Sequence, residues 1–177
     1  AQVLGRFGPK LPELVEGAEP RTAHATAVAA DGPEGPGALL LLGPSASGKS
    51  RLALEMIALG AVLVADDRTA LSRDAAGRLL AAPVAPLEGR IEVRGLGLLD
   101  LPHLPEAPIL AVCDLSATEL RRLPPRREVR LLGAPAPLIY AKEMPAAALL
   151  AFLRTGGRRE IDAPSPPDAA PPPTTEP

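Results

Sequence analysis

The stretch ALLLLGPSASGKS, Ala38 to Ser50, decides how this chain is read. Ala38–Leu42 is a short continuous apolar run, which suits a strand buried on both faces. Ser50 to Leu59 reads as a helix, with Leu52, Ile57 and Leu59 among its apolar positions, and Gly60 is placed to end it. Between them Gly43, Gly48, Lys49 and Ser50 complete the pattern G-x-x-x-x-G-K-[ST], in the strand–loop–helix context that gives it meaning. The loop Gly43, Pro44, Ser45, Ala46, Ser47, Gly48, Lys49, Ser50 is therefore read as a phosphate cradle. Its backbone N–H groups point inward and the helix N-terminus adds partial positive charge. Lys49, expected to face solvent when no phosphate is held, meets the outer phosphates, and Ser50 offers a hydroxyl to Mg²⁺.

Composition narrows the rest. A chain of 177 residues can form one domain with a real core. Aromatic residues are 2% and Trp is absent, so that core must be built from Leu, Val, Ile and Ala. A net charge of −2, with no interleaving of basic and aromatic residues, gives no footprint for nucleic acid. The single Cys excludes an internal disulfide framework and suits a reducing compartment. No apolar run approaches the roughly 20 residues of a membrane helix, and no secretory signal is visible. These features predict a soluble, cytoplasmic protein without membrane or nucleic-acid partners. Residues 1–20 lack periodicity and read as an N-terminal extension. Residues 160–177, rich in Pro, Asp, Thr and Ala, read as a disordered tail, because they cannot bury enough apolar surface to offset their ordering entropy. The globular domain is placed at 21–159.

Within it, AHATAVAA (Ala23–Ala30) reads as a strand and DGPEGPG (Asp31–Gly37) as a loop. AVLVA, RLLAAP, RIEV, PILAVCDL and REVRLL are further strands. SATELRR carries Ser116 and Glu119 in capping-box spacing, which predicts a short helix there. PAAALLAFLR (Pro145–Arg154) reads as a last helix entered through proline. The expected fold class is α/β: a P-loop kinase-like domain with a mainly β core sheet and few helices.

The helix after the loop carries the chain away, Gly60 turns it, and AVLVA returns parallel to ALLLL. The end of that return strand must lie beside the phosphates, and Asp66 and Asp67 stand there in LVADDR. One carboxylate can hold Mg²⁺ through water and the other can take a proton from an attacking hydroxyl. RIEVRGLGLLDL places Glu92 ahead of Gly95-Leu96-Gly97 as a candidate Mg²⁺ ligand, the plain alternative being a simple hairpin. Neither His24 nor His103 stands in zinc-site spacing with Cys113.

On AHATAVA, GPSASGKSRLALEMIALGAVLVADD and LEGRIEVRGLGLLDL, the sequence resembles the HPr kinase/phosphorylase family, in the short proteobacterial form that consists of the catalytic C-terminal domain. The likeness covers about Arg21 to Arg130. It implies a serine kinase that phosphorylates the phosphocarrier protein HPr, uses ATP and Mg²⁺, and can phosphorolyse phosphoserine-HPr to give pyrophosphate. It implies ATP binding by Gly43 to Ser50, metal binding by Ser50 and Glu92, and a homo-hexamer. Asp67 would be proton acceptor forward and proton donor in reverse. His24, Lys49 and Arg122 would complete the catalytic set, Arg121 being the neighbouring alternative to Arg122. Two departures stand out. Ala46 occupies a position where the family's loop usually has glycine, and APAPLIYAKEMPAAA (Ala134–Ala148) lacks the late pattern associated with dephosphorylation. A P-loop kinase acting on a small-molecule hydroxyl and a nucleotide-binding regulatory module are the other readings that the motifs admit.

Overall fold

The computed structural model describes residues 21–161, so the expected extension at 1–20 and the tail from 162 onward lie outside the described residues. The apolar run becomes β3 (Gly35–Leu42), paired antiparallel with β2 (Thr26–Gly32) and parallel with β9 (Ala107–Asp114). The sheet continues from β9 through β6 (Leu79–Pro83) and β5 (Thr69–Arg73) to β1 (Arg21–Ala23). On its other side β2 pairs antiparallel with β4 (Val62–Ala65). The expectation for AVLVA is met in direction: β4 runs parallel to β3, with β2 lying between them. β7 (Arg90–Val93) and β8 (Gly97–Asp100) form a separate hairpin. Two helices, α1 (Lys49–Ala58) and α2 (Ala146–Arg154), complete the described residues, so the expected sheet-dominated α/β fold with few helices is what the chain adopts.

The sheet curls upon itself. Ala27 pairs with Ala65 on the β2–β4 ladder, and Ala23 pairs with Thr69 on the β1–β5 ladder. Residues 24–26 and 66–68 separate these rungs, so two kinked runs stay side by side through the break. The Ala25 carbonyl accepts from Thr69 Oγ1 at 2.8 Å and the Asp67 carbonyl accepts from Ala25 N at 3.1 Å. This kink is where His24, Asp66 and Asp67 are held.

β3 is buried on both faces, as an unbroken apolar run requires. Leu40 and Leu42 enter the core enclosed by the curl, with Leu71, Leu131 and Leu138. Leu39 and Leu41 face the helices, with Met56, Leu149 and Leu153. Gly60 ends α1 as expected, at φ 110°. Among the described residues no helix is long and apolar enough to cross a membrane.

Two expectations fail, each for a visible reason. Asp31–Gly37 is not an open loop: Asp31 pairs with Pro36 and Gly32 with Gly35, so most of it is the tip of the β2–β3 hairpin. SATELRR is not helical. Ser116 turns its N–H and hydroxyl back to Asp114 Oδ1 (2.8 and 2.5 Å). Glu119 accepts from Arg121 N at 2.9 Å and from Arg127 instead of closing a capping box. Four strands escaped the sequence reading: β1, parted from the expected Ala23–Ala30 strand by the break at residues 24–25, and β5, β8 and β11 (Ala134–Tyr140). β11 carries Pro135 and Pro137 where it pairs only with β10 (Glu128–Leu131), and joins β9 only at Leu138–Tyr140. A proline costs no ladder bond on an edge.

Because both faces of β3 are packed, Leu40→Ala and Leu41→Ala should each cost about 2–5 kcal/mol of unfolding free energy. Urea denaturation measures both. A near-neutral result at either position would show that one face of β3 is not packed.

Candidate phosphate-binding and transfer site

The loop between β3 and α1 has the geometry its residue types suggest. Ser47 N donates to Pro44 O at 3.1 Å, closing a turn, and Gly48 takes φ 93° as α1 begins. A Cβ on Gly43 would stand 2.6 Å from Ser47 Oγ, so this position needs glycine. No side chain caps α1 and no acidic residue lies in its first turn, which leaves its N-terminal N–H groups for a ligand. Ala46 sits at φ 64°, a conformation that favours glycine and disfavours alanine.

Lys49 corrects an expectation. It is buried, at 6% exposure, and not turned to solvent. Its ammonium donates to Gly43 O at 2.9 Å and Pro44 O at 3.1 Å, clamping the loop from inside. Burial lowers its pKa from the usual lysine value, opposed by the charges of Asp67 and Asp66. An ammonium has three donors, so one remains for the cavity that Lys49 lines.

The two neighbouring aspartates, equivalent in sequence, differ completely in structure. Asp66 is buried, and its carboxylate accepts three hydrogen bonds from three different elements. Thr26 Oγ1 (β2) and Ser50 Oγ (α1) donate to Oδ1 at 3.0 and 2.6 Å, and Glu92 N (β7) donates to Oδ2 at 3.1 Å. Asp67, at φ 61°, swings the other way, with its side chain 65% exposed. Its Oδ1 lies 3.2 Å from His24 Nδ1. Thr26 ties the pair together, because its hydroxyl also accepts from Asp67 N at 3.3 Å. Sequence reasoning missed Thr26; the signal was a hydroxyl in an Ala/Val strand, two residues after His24 and so on the same face.

These groups line one cavity of about 570 Å³, bounded by His24, Ser45, Ala46, Gly48, Lys49, Ser50, Asp66, Asp67, Glu92 and Arg94. That volume lies within the usual range for small-molecule sites, about 300–1,000 Å³. Gly43, Pro44 and Ser47 build the loop beneath it. Arg122 is not brought to it: it lies exposed in the irregular segment after β9, beside Arg121. His103, to which the sequence assigned no role, forms an isolated bridge with Leu63.

The oxygens of Ser50, Asp66 and Glu92 share this cavity. Among the described residues no ready-made group of three His, Cys, Asp or Glu could hold a metal. A serine hydroxyl with one or two carboxylates is an oxygen set that fits Mg²⁺, which completes its shell with substrate phosphates and water. Buried Ser47 Oγ has no hydrogen-bond partner among the described residues, an orphan hydroxyl inside the cradle.

Residues 20–105 match the family model described as HPr Serine kinase C-terminal domain. The HPr kinase/phosphorylase of Bordetella pertussis is 51% identical over 63 residues, 36% of this chain and 20% of that protein. That of Clostridium tetani is 42% identical over 66 residues, 37% of this chain and 21% of that protein. The matches thus span about a fifth of the length of these curated relatives. The Hpr(Ser) kinase/phosphatase structure from Coxiella burnetii is similar with a TM-score of 0.63 at 22% identity, over 77% of this chain and 90% of that one. At that identity the likeness speaks to the fold.

Thr26→Val keeps the shape but removes a donor from Asp66 and an acceptor from Asp67 N. It should cost about 1–3 kcal/mol, read by urea denaturation; an unchanged midpoint would mean that this hydroxyl anchors nothing. Ala46→Gly should instead stabilise by about 1 kcal/mol, by relieving the left-handed backbone. Its melting temperature should rise by about 2–4 °C, and a fall would place the strain elsewhere.

Proposed function

We propose that this chain, which through residues 20–105 belongs to the HPr Serine kinase C-terminal domain family, transfers the γ-phosphoryl group of ATP to a serine of the phosphocarrier protein HPr. It also runs the reverse phosphorolysis of phosphoserine-HPr. The convergence of Lys49, Ser50, Asp67 and Glu92 on one cavity is the observation that carries this reading.

In this reading the loop N–H groups and Lys49 hold the phosphates, and Ser50 and Glu92 hold Mg²⁺. When bound, Mg²⁺ would neutralise charge developing on the transferred group. Asp66 is buried and already holds three donors, so its part is to fix Ser50 and the β7–β8 hairpin. Asp67 is exposed and free to take the serine proton as the new P–O bond forms. His24, 3.2 Å away, orients that carboxylate. In reverse, inorganic phosphate attacks phosphoserine, Asp67 returns the proton to the departing serine oxygen, and pyrophosphate leaves. Arg122 has the least structural support in this set, being exposed and outside the cavity. The reading includes a cytoplasmic, hexameric assembly, which light scattering tests.

Labelled ATP with and without HPr separates the readings. Label on an HPr serine, located by mass spectrometry, supports this one. Label only on a small molecule turns the chain into a metabolite kinase, and binding without transfer into a regulatory module. Asp67→Asn should lower both kinase and phosphorolysis rates by about 10²–10⁴-fold while sparing ATP affinity. Asn tolerates the left-handed backbone at this position and can still contact His24, so only the proton function is lost. Near-normal kinase activity in that variant would remove Asp67 as the base.

A further inference from the structure

β10 is the outer strand of its sheet: among the described residues it pairs with β11 and with no other strand. Its inner face is fixed, because Val129 and Leu131 are buried in the core that the curl encloses. Glu128 and Arg130 lie on the opposite face and are exposed. The prolines of β11 show which way the backbone of β10 points. Pro135 stands opposite Arg130, and Pro137 opposite Glu128. A proline has no N–H to give. In an antiparallel ladder, pairs that exchange both N–H···O=C bonds alternate with pairs that exchange none. The exchanging pairs are therefore Val129 with Ala136 and Leu131 with Ala134. Leu138 N donates to Arg127 O at 2.9 Å, which continues the same alternation. The N–H and C=O groups of Glu128 and Arg130 thus point away from β11, along the free edge.

Other edges of the sheet are covered or blunted. Leu63 of β4 is bridged by His103 and accepts from Leu104 N at 2.9 Å. The side of β11 turned away from β10 carries its two prolines. β10 has no proline and no bulge in its register. Charged side chains on an edge normally deter a neighbouring strand, but here there is one of each sign, and their order matters. A twofold axis through Val129 lays a second β10 antiparallel, with Glu128 of each copy opposite Arg130 of the other. These are the residues whose backbone groups point outward, so hydrogen-bond register and charge register coincide. Each pair can exchange both backbone bonds and set a carboxylate beside a guanidinium. Opposite charges across strands are favourable and like charges unfavourable. Centring the axis on Glu128 or Arg130 instead would place like charges opposite each other. Among the described residues Glu128 has no cation within 4.0 Å and Arg130 no carboxylate, so neither has an ion pair to give up. Arg130 donates only to Gly133 O, at 3.0 Å.

We propose that the free edge of β10 is a self-association surface, on which a second copy of this chain adds its own β10 antiparallel, Glu128 of each against Arg130 of the other. Such a contact is isologous, the same patch serving both copies. It does not depend on what the chain phosphorylates, and it specifies one contact and not the number of copies in the assembly.

Charge reversal with sedimentation velocity on the 177-residue chain tests it. The parent should associate as its concentration rises. Glu128→Arg and Arg130→Glu each turn two opposite-charge pairs into two like-charge pairs, and each should raise the dissociation constant by at least about tenfold. Both positions are exposed, so the melting temperature of the separated chains should change little. An equimolar mixture of the two variants should associate again, because one copy then carries two arginines and the other two glutamates. The double variant, Glu128→Arg with Arg130→Glu, should likewise associate with itself. Misfolding of a single variant would not be cured by mixing, so the rescue separates a broken contact from a damaged fold. A monomeric parent, single variants that associate like the parent, or a mixture that stays apart would each overturn the contact.

Discussion

The carboxylate of Asp66 is the interaction on which the site depends. A buried charge is costly unless its hydrogen bonds are made, and here all three donors come from elements that the sequence places far apart. Thr26, Ser50 and Glu92 belong to β2, α1 and the β7–β8 hairpin. Loss of this one group would leave each of them without its partner. Loop, helix and hairpin would then have no shared reference. The same bonds that satisfy Asp66 bring Ser50 and Glu92 to a common cavity, so stability and site geometry are one constraint here.

The curl of the sheet makes that constraint possible. Two antiparallel runs, β1 with β2 and β4 with β5, kink at the same level, so that residues 24–26 and 66–68 face each other without a regular ladder. A straight ladder would have put Asp66 and Asp67 on opposite faces of a continuous sheet. The kink lets Thr26 bind both aspartates while His24 reaches the second. β2 also separates β3 from β4, so about two strand spacings, roughly 10 Å, lie between the base of the loop and the acids. That gap leaves room for a chain of phosphates and is bridged on the protein side by Ser50.

What the sequence made legible was whatever follows from local pattern. The apolar run of β3, the glycine–lysine loop, the turn at Gly60 and the aspartates ending β4 are each encoded within a few residues. So the fold class and most of the cavity could be read before any coordinates. Three things were not local. Lys49 reads as solvent-facing because its charge suggests it, yet the loop's own carbonyls satisfy it indoors. Ser116 and Glu119 have capping-box spacing, but Asp114 and Arg127 outcompete the helix for them. β11 looks like a proline-broken loop until its neighbour shows that the prolines lie on the side where no donor is needed.

The division of labour between Asp66 and Asp67 is the sharpest case of a role set by backbone and not by residue type. Both carry the same carboxyl group, one position apart. The bend that follows β4 sends the first inward, where it holds three donors. The left-handed turn at φ 61° sends the second outward into the cavity, beside a histidine and largely in solvent. A buried carboxylate already bonded to three elements holds those elements in place and is closed to an incoming hydroxyl. An exposed carboxylate with a single neighbour is open to one. Asp tolerates the left-handed region because its short polar side chain can bond locally, and here the Asp67 N–H finds Thr26. The strain of that one residue is thus what turns a pair of identical acids into an anchor and a base.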